Sequence, residues 1–335
     1  MKKFLVLTYC LAGCLLPKLF PDCVEMQVCA QTGTTAYEFM NIPTSAHSAA
    51  LGGNNVSVVE DDITLLFTNP ALLSNVSDKT LNFNYMNYMS SSNKLSTAFA
   101  KQWGERGTWA VAGQVVNYGE MTETTANFEE TGTFSASDIA IQAGYTYMLT
   151  DRWSGGVQAK VLLSNYGEFN SAGIAADLGL HYYDADHGLA FGLVAQNLGG
   201  QVDPLYDKSE KIPFNLVMGM SLDFANAPIR VSLTMQDLTH WSKDYYVAAN
   251  SGISSSKVFF NHLSIGADIF PSSQTWLALG YNFRRGYEME VQDKSHWAGF
   301  SLGGGLAVKR FKVGVAYGKY HVASSSLLVN ASYCF

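Results

Sequence analysis

Apolar and polar residues alternate along most of the chain, in segments of about ten residues separated by breaks, a length that suits a strand crossing a membrane. The first clear segment runs from Thr80 to Met89, where Leu81, Phe83 and Tyr85 share one face and polar residues the other. Successive side chains of a strand point to opposite faces, so this pattern turns apolar groups toward lipid. Thirteen further segments bring the predicted strands to fourteen, and they centre on Thr97, Val111, Ala143, Ala159, Ala176, Leu193, Met218, Leu233, Ile265, Ala278, Leu302, Val315 and Val329.

The predicted connections alternate in length. Those after even-numbered strands are short, such as Thr150–Arg152 and Ala225–Pro228. Those after odd-numbered strands are generally longer and include Gly119–Ser137, Gly199–Pro213, Thr239–Val258 and Arg284–His296. Outer-membrane barrels have short periplasmic turns and long outward loops. The sequence therefore predicts an all-β protein, a 14-stranded antiparallel transmembrane β-barrel with membrane lipid around it and both termini on the periplasmic side.

The last strand gives a sharp local signal. Leu327, Val329, Ala331, Tyr333 and Phe335 alternate to the final residue. This resembles the C-terminal pattern by which bacterial barrels are recognised for assembly, so Tyr333 and Phe335 are expected to form that signal. The alternative is an ordinary edge strand, but an exposed edge of this length favours aggregation, whereas barrel closure removes it.

The stretch between the predicted signal peptide and the first strand lacks the regular alternation of the later segments. Ser45–Ala50 is compatible with a short helix, and the following glycines suit its end. Val56–Glu60 is compatible with a short strand. Because residues 31–78 are too few for a stable domain, we expect them to form a plug or periplasmic hatch, with the barrel spanning residues 79–335.

Residues 1–30 are predicted to be a cleaved signal peptide that directs export to the outer membrane. Lys2 and Lys3 precede the apolar run Phe4–Leu16, and cleavage after Ala30 fits the small residues near it. A second interpretation is a lipobox that would leave Cys14 as a lipidated N-terminus.

Composition narrows the function further. Charged residues are only 15% of the chain, and aromatic residues 13%. Without residues 1–30 the chain keeps 18 basic and 26 acidic residues, which argues against a nucleic-acid partner. Only Cys334 lies beyond residue 30, so neither a disulfide framework nor a cysteine zinc site is expected.

No catalytic constellation, cofactor site or metal site is predicted, and the chain is not expected to be an enzyme. Asp61 and Asp62 point in opposite directions on an extended chain, and a cap for a turn at Thr64–Phe67 is the preferred interpretation. The histidines lack ligand spacing, and most are expected in solvated positions. Gly303–Gly305 is expected to allow a plug to approach the wall. The remaining candidates are small acidic runs that can bind cations or a basic partner, or simply be solvated: Glu120, Glu123, Glu129, Glu130, Glu288 and Glu290.

A family resemblance begins at Tyr37–Pro43 and continues through Ala46–Asn54, Asp61-Asp62 and Phe67–Leu72. These residues resemble the PorV/PorQ family of outer-membrane barrels of the type IX secretion system, and the chain is more similar to the PorQ branch. Its Asn69, Pro70, Ala71 and Leu72 are also similar to an element of FadL-type transporters, which have fourteen strands and an internal plug.

The PorQ resemblance implies a component of the cell-surface attachment complex. Such a barrel would hold a surface-exposed PorZ-like protein and work beside a sortase and a PorV-like barrel. Loop aromatics would supply the binding energy, and the candidates are Trp241, Tyr245, Tyr246 and Tyr287. The FadL similarity implies the alternative, a transporter of hydrophobic small molecules. An anchor should have a blocked barrel, whereas a transporter should have a continuous apolar pocket.

Overall fold

Fourteen antiparallel strands close into a barrel in a computed structural model that describes residues 35–89, 92–124, 130–204, 209–242, 254–288, 297–320 and 325–335. Each strand pairs with its neighbours in sequence, and β1 pairs with β14. The strands are β1 Thr80–Met89, β2 Ser92–Trp103, β3 Gly107–Thr124, β4 Glu130–Met148, β5 Trp153–Tyr166, β6 Phe169–Asp184, β7 Leu189–Asp203, β8 Asn215–Asp223, β9 Ile229–Met235, β10 Leu263–Ser272, β11 Thr275–Asn282, β12 Phe300–Val308, β13 Phe311–Gly318 and β14 Ser326–Cys334.

The alternation of the sequence becomes the two faces of the wall. In β1, Phe83 and Tyr85 are 59% and 45% exposed on the outside, whereas Asn82 and Asn84 are buried on the lumenal side. All fourteen predicted strand centres lie within strands, so the predicted fold class is confirmed. Outward apolar side chains continue around the barrel, as a lipid-facing surface requires.

The two ends of the barrel differ in their connections. Every connection after an even-numbered strand is a short turn, such as 149–152 between β4 and β5, while long connections follow β7, β9 and β11. We call these the short-turn end and the long-loop end. Helices Ser255–Asn261 and Phe283–Glu288 lie at the long-loop end.

Two predicted loops were too long. Gly119–Ser137 is mostly a strand hairpin, because β3 continues to Thr124 and β4 begins at Glu130. Gly199–Pro213 likewise contains the end of β7, which reaches Asp203. The strand pairing continues through both stretches although they are mostly polar and exposed, and a polar stretch without alternating apolar residues is typical of a loop.

Closure runs to the last residue of the chain. Leu81 pairs with Tyr333 across the seam, and the amide of Phe335 donates to the carbonyl of Lys79 at 3.2 Å. The ring of Tyr333 packs 4.7 Å from that of Phe311 and 4.9 Å from that of Phe335. Tyr333 and Phe335 thus complete an outward aromatic group at the short-turn end, and their role as an assembly signal remains a prediction.

Between Thr35 and Ser77 the chain forms short helical turns connected by extended backbone. The elements are Glu38–Asn41, Ala46–Ala50, Ile63–Phe67 and Pro70–Asn75. Ser45 caps the second, and Gly52 and Gly53 follow it with φ of 103° and 129°, which suits glycine. The predicted strand at Val56–Glu60 is wrong: these residues pair with no described strand, because their carbonyl groups accept from side chains instead, that of Val56 from Asn69 of the plug and that of Ser57 from Ser221 of the wall.

The predicted signal peptide, including the alternative lipid site at Cys14, lies outside the described residues. The domain boundaries at residues 30 and 78 remain predictions. Among the described helices, the longest has seven residues, and none is long and apolar enough to cross a membrane.

Candidate functional site

The segment 35–78, which we call the plug, lies in the lumen of the barrel. It begins at the long-loop end, where the amide of Ala36 donates to the carbonyl of Lys211 at 2.8 Å. It finishes at the short-turn end, where Asp61 accepts from the amide of Ser77 at 2.7 Å and pairs with Lys312 at 2.5 Å. The plug is therefore attached to the wall at both ends.

The predicted plug motif forms the first turn of helix Pro70–Asn75. Asn69 is fully buried; its side-chain oxygen accepts from the amide of Ala71 at 3.0 Å, and its amide group donates to the carbonyl of Val56 at 2.9 Å. Asn is favoured at this position because its side chain satisfies a free helical amide, and proline suits the next position because it lacks one. The carbonyl of Pro70 accepts from the hydroxyl of Thr146 in the wall. The motif thus joins two segments of the plug to each other and to β4.

Lumenal glycines let the plug touch the backbone of the wall. A Cβ atom on Gly192 would overlap the carbonyl of Val56, and one on Gly156 would overlap the backbone between Pro70 and Ala71. A Cβ on Gly280 would meet the backbone at Leu51 and Gly52 in the same way. The expected close approach at Gly303–Gly305 occurs at Gly303, whose Cβ would lie 2.7 Å from the Cβ of Ala50. The plug and the wall are therefore shaped to each other.

A buried cluster of four charges joins the plug to β9 and β10. His47 of the plug lies between two carboxylates, 2.6 Å from Glu60 through Nδ1 and 2.6 Å from Asp268 through Nε2. Arg230 donates to Asp268 at 2.8 Å and also pairs with Glu60. The imidazole of His47 stacks on the indole of Trp276, with ring centroids 3.8 Å apart. With His47 protonated, these four residues carry two positive and two negative charges, a balance that a buried cluster requires. The half-exposed carboxylate of Asp223 lies farther out, 3.9 Å from Arg230.

The pKa values in the plug support this charge assignment. Burial by itself lowers the pKa of His47, but Glu60 and Asp268 raise it to about 9. Burial raises the pKa of the Glu60 carboxyl, but His47 and Arg230 lower it to about 2. Both groups are therefore charged at neutral pH.

His47, Glu60 and Asp268 also have the donor atoms of a cation site, all within 4.8 Å of one another. Arg230 bonds to both carboxylates, so its guanidinium already provides the positive charge that a metal ion would bring. The arrangement is better described as a structural ion cluster than as a metal centre.

We expect the attachment of the plug to weaken at high pH. His47 contributes stability fully below its ordinary pKa of 6.5 and loses it as the pH rises through about 9. Glu60 contributes fully above its ordinary pKa of 4.5 and loses it as the pH falls through about 2. The barrel in detergent should therefore lose its compact, heat-modifiable form at a lower temperature at pH 9.5 than at pH 6. His47→Gln should shrink that difference, and an equal difference in the variant would contradict the assignment.

A cavity of about 180 Å³ lies at the long-loop end between the start of the plug and the wall. Buried Asp138 faces it and accepts hydrogen bonds from Tyr118 at 2.6 Å, from Tyr166 at 2.9 Å and from Ser164. Tyr37 closes the side toward β6, bonding to Ser171 at 2.7 Å. Most of the lining residues carry a hydroxyl or carboxyl group, whereas a site that binds hydrophobic molecules is mostly apolar.

Aromatic rings form a continuous row at the long-loop end, which we call the aromatic row. Neighbouring rings lie 4.7 to 6.5 Å apart, and the members are Trp241, Phe259, Phe260, Phe283, Tyr281, Phe300 and Trp297. Trp297 is 79% exposed and Trp241 48% exposed. Tyr281 and Phe300 belong to strands and fit the aromatic girdle at a membrane interface, whereas the tryptophans belong to loops.

The four predicted partner-binding residues do not lie together in one described surface. Trp241 is in the aromatic row and donates from Nε1 to the carbonyl of Leu238 at 2.7 Å. Tyr287 is half-buried in helix Phe283–Glu288, with the Lys257 ammonium 5.6 Å from its ring centre. Tyr245 and Tyr246 lie outside the described residues.

Sequence reasoning missed the ion cluster. The expectation that most histidines are solvated is wrong for His47, His181 and His262, which are all buried. A signal was present, since Arg230 and Asp268 are opposite charges at lumenal positions of adjacent strands and face each other in register. Their partners in the plug could not be identified, because residues that meet in the lumen have no fixed separation along the sequence. Aromatic residues between the strands, such as Phe259 in a short helix and Trp297 in a loop, were also missed, since they lack a periodic pattern.

Comparison with known proteins identifies the fold but not a family. No family model matches the chain. No curated protein matches it either. Among solved structures, the toluene transporter TodX of Pseudomonas putida is similar, with 13% identity, a TM-score of 0.58, and coverage of 87% of this chain and 98% of that one.

The monoaromatic hydrocarbon channel CymD is similar to the same degree, with 13% identity, a TM-score of 0.59, and coverage of 88% of this chain and 98% of CymD. The chain thus has the FadL-like barrel fold, as expected, and neither neighbour is named as an enzyme. At these identities the likeness concerns the fold alone. The resemblance to PorV/PorQ has no counterpart in these comparisons.

Proposed function

We propose that the protein is a permanently plugged outer-membrane barrel whose long-loop end holds another protein at the cell surface. In the attachment complex implied by the resemblance, that partner would be a PorZ-like protein, with a sortase and a PorV-like barrel nearby. The observation that supports this proposal is the filled lumen. The plug is attached at both ends, fitted against lumenal glycines and joined to the wall by three buried charged residues and the partly buried Glu60.

The chemistry of the lumen favours a platform over a passage for hydrophobic molecules. Buried lumenal residues include Gln142, Gln158, Lys160 and Asp177, and Lys160 pairs with Asp177 at 2.7 Å. A hydrophobic ligand site is mostly apolar with a few polar groups. A route along this wall would expose such a ligand to amides and charges, so the wall is better suited to hold a polar plug.

The aromatic row supplies a surface that suits a protein partner. Exposed tryptophan rings contribute most to binding where they insert into a pocket on the partner. Trp241 and Trp297 both lie in loops at the long-loop end, where the connections after β9 and β11 are longest. Both loops would face the cell exterior, since long loops of such barrels point outward.

Transport of hydrophobic small molecules is the second candidate, and the fold comparison favours it. TodX is named as a toluene transporter and CymD as a monoaromatic hydrocarbon channel. For this chain to act in that way, the plug would have to leave its contacts with Gly156, Gly192 and Gly280, or a path would have to open beside it.

The test is a pull-down of tagged protein from outer membranes in mild detergent, followed by mass spectrometry of the retained proteins. We expect a large soluble surface protein, and Trp241→Ala should reduce its recovery. Trp103→Ala is the matched control, because Trp103 is a 70% exposed indole at the opposite end of the barrel. A barrel that comes out alone, carrying an apolar small molecule, would favour transport instead.

A further inference from the structure

Strands β3 and β4 continue beyond the rest of the wall as a two-stranded hairpin. We call residues 118–124 and 130–135 the projecting hairpin. Pairing of β2 with β3 ends at Asn93 and Asn117, whereas β3 and β4 remain paired as far as Thr124 and Glu130. On the other side, the strand pairing of β4 with β5 ends at Ala136 and Tyr166. Beyond these pairs, both outer edges of the hairpin have no strand neighbour among the described residues.

The direction of the edge amides can be assigned. The amide of Gly167 donates to the carbonyl of Ser135 at 3.1 Å, so Ser135 points its backbone groups toward the β5 side. Alternate residues of an antiparallel strand point to the same edge, so Thr133 does the same. Thr133 pairs with Thr122, which therefore presents its own backbone groups at the opposite edge. Each edge thus offers backbone donors and acceptors to an added strand.

The residue types of the hairpin leave the backbone groups of these edges able to pair with an added strand. Proteins protect an exposed edge with charged side chains, most often lysine, with proline or with a β-bulge. The stretch 118–137 contains no lysine, arginine, histidine or proline, but it contains five threonines, which favour strands. It also carries four glutamates, Glu120, Glu123, Glu129 and Glu130, and the side chains of the described three are exposed. The hairpin is therefore acidic, and its two strands pair in continuous register from Glu120 to Glu123, between two register shifts.

We propose that the projecting hairpin binds an extended segment of a protein partner by strand addition, and that this segment carries basic side chains. Main-chain hydrogen bonds would supply the affinity, and pairing of lysine or arginine with Glu120, Glu123 and Glu130 would select the segment. A two-stranded hairpin is marginal in water by itself, so a third strand would also stabilise it. The inference rests on the proposed function, since it names how the partner is held.

The experiment uses the full chain in detergent and a short fluorescent peptide of alternating lysine and valine. We expect binding that weakens with added salt and with a peptide of alternating glutamate and valine. Thr133→Pro, which removes an outward amide while keeping the internal bonds of the hairpin, should weaken binding by about tenfold, a loss of about 1.4 kcal/mol. Glu120→Gln with Glu123→Gln and Glu130→Gln should also weaken it, and Glu105→Gln at the short-turn end should not.

Peptide binding that is unchanged in both hairpin variants would overturn the proposal, and so would failure of the native chain to bind. Loss with the glutamine variant alone would also overturn it, because charge without edge pairing is not strand addition. The assay does not depend on the native partner. Peptide binding in a protein that retains no partner in the pull-down would count against the proposed function only.

Discussion

Replacing Arg230 with methionine is expected to destabilise the barrel by about 3–5 kcal/mol, because removal of one member of a buried charge cluster leaves its partners uncompensated. Arg230 is 4% exposed and bonds to Glu60 of the plug and Asp268 of the wall. Methionine keeps much of the side-chain volume, so the loss of stability measures the effect of removing the charge. The measurement is the temperature at which the compact form disappears in detergent, together with protease cleavage within the plug.

A second change separates this explanation from a simple packing defect. Asp268→Asn in the Arg230→Met background removes the uncompensated carboxylate and should recover part of the lost stability, as expected for coupled neighbours. Arg230→Met with native stability would contradict the importance of the cluster. A further independent loss in the double variant would contradict the charge argument.

Replacing Gly192 with alanine is expected to displace the plug. The new methyl group would fall on the carbonyl of Val56, closer than the 3.0 Å that real Cβ contacts respect, so the backbone of the plug or of β7 must move. Overpacking of this kind costs on the order of 3 kcal/mol, and more where backbone is the obstacle. We expect a lower unfolding temperature and faster cleavage of the plug by protease.

Gly200→Ala is the matched control, since Gly200 lies in the same strand and a Cβ there would meet nothing within 4 Å. It should leave both measurements unchanged. Equal effects of the two substitutions would show that strand propensity, rather than the plug contact, determines the outcome.

The wall of the barrel could be predicted from the sequence because its two environments repeat with a period of two. Phe83 and Tyr85 face outward, whereas Asn82 and Asn84 face inward. The residue types of each strand therefore indicate which side faces lipid and which faces the lumen. The extent of β3 and β4 could not be predicted, since the hairpin beyond Asn117 is exposed on both faces and loses the alternation.

The plug was predictable only in its local chemistry. Asp62 was expected to cap the turn at Thr64–Phe67, and it accepts from the amide of Thr64 at 2.9 Å. The bond between His47 and Asp268 joins residues 221 positions apart and depends on how the plug lies in the lumen. No periodic pattern in a single sequence indicates that placement, which is why the sequence predicts a solvated position for the buried His47.

The plug is expected to stay in place while the protein works. This expectation can be tested most directly by joining the plug to the wall with Ser57→Cys and Ser221→Cys, in a background with Cys334→Ser. The hydroxyl of Ser221 already donates to the carbonyl of Ser57 at 3.2 Å. We predict that the oxidised, cross-linked protein retains as much of its surface partner as the reduced protein. Loss of partner on oxidation, recovered on reduction, would show that the plug must move and would contradict the account.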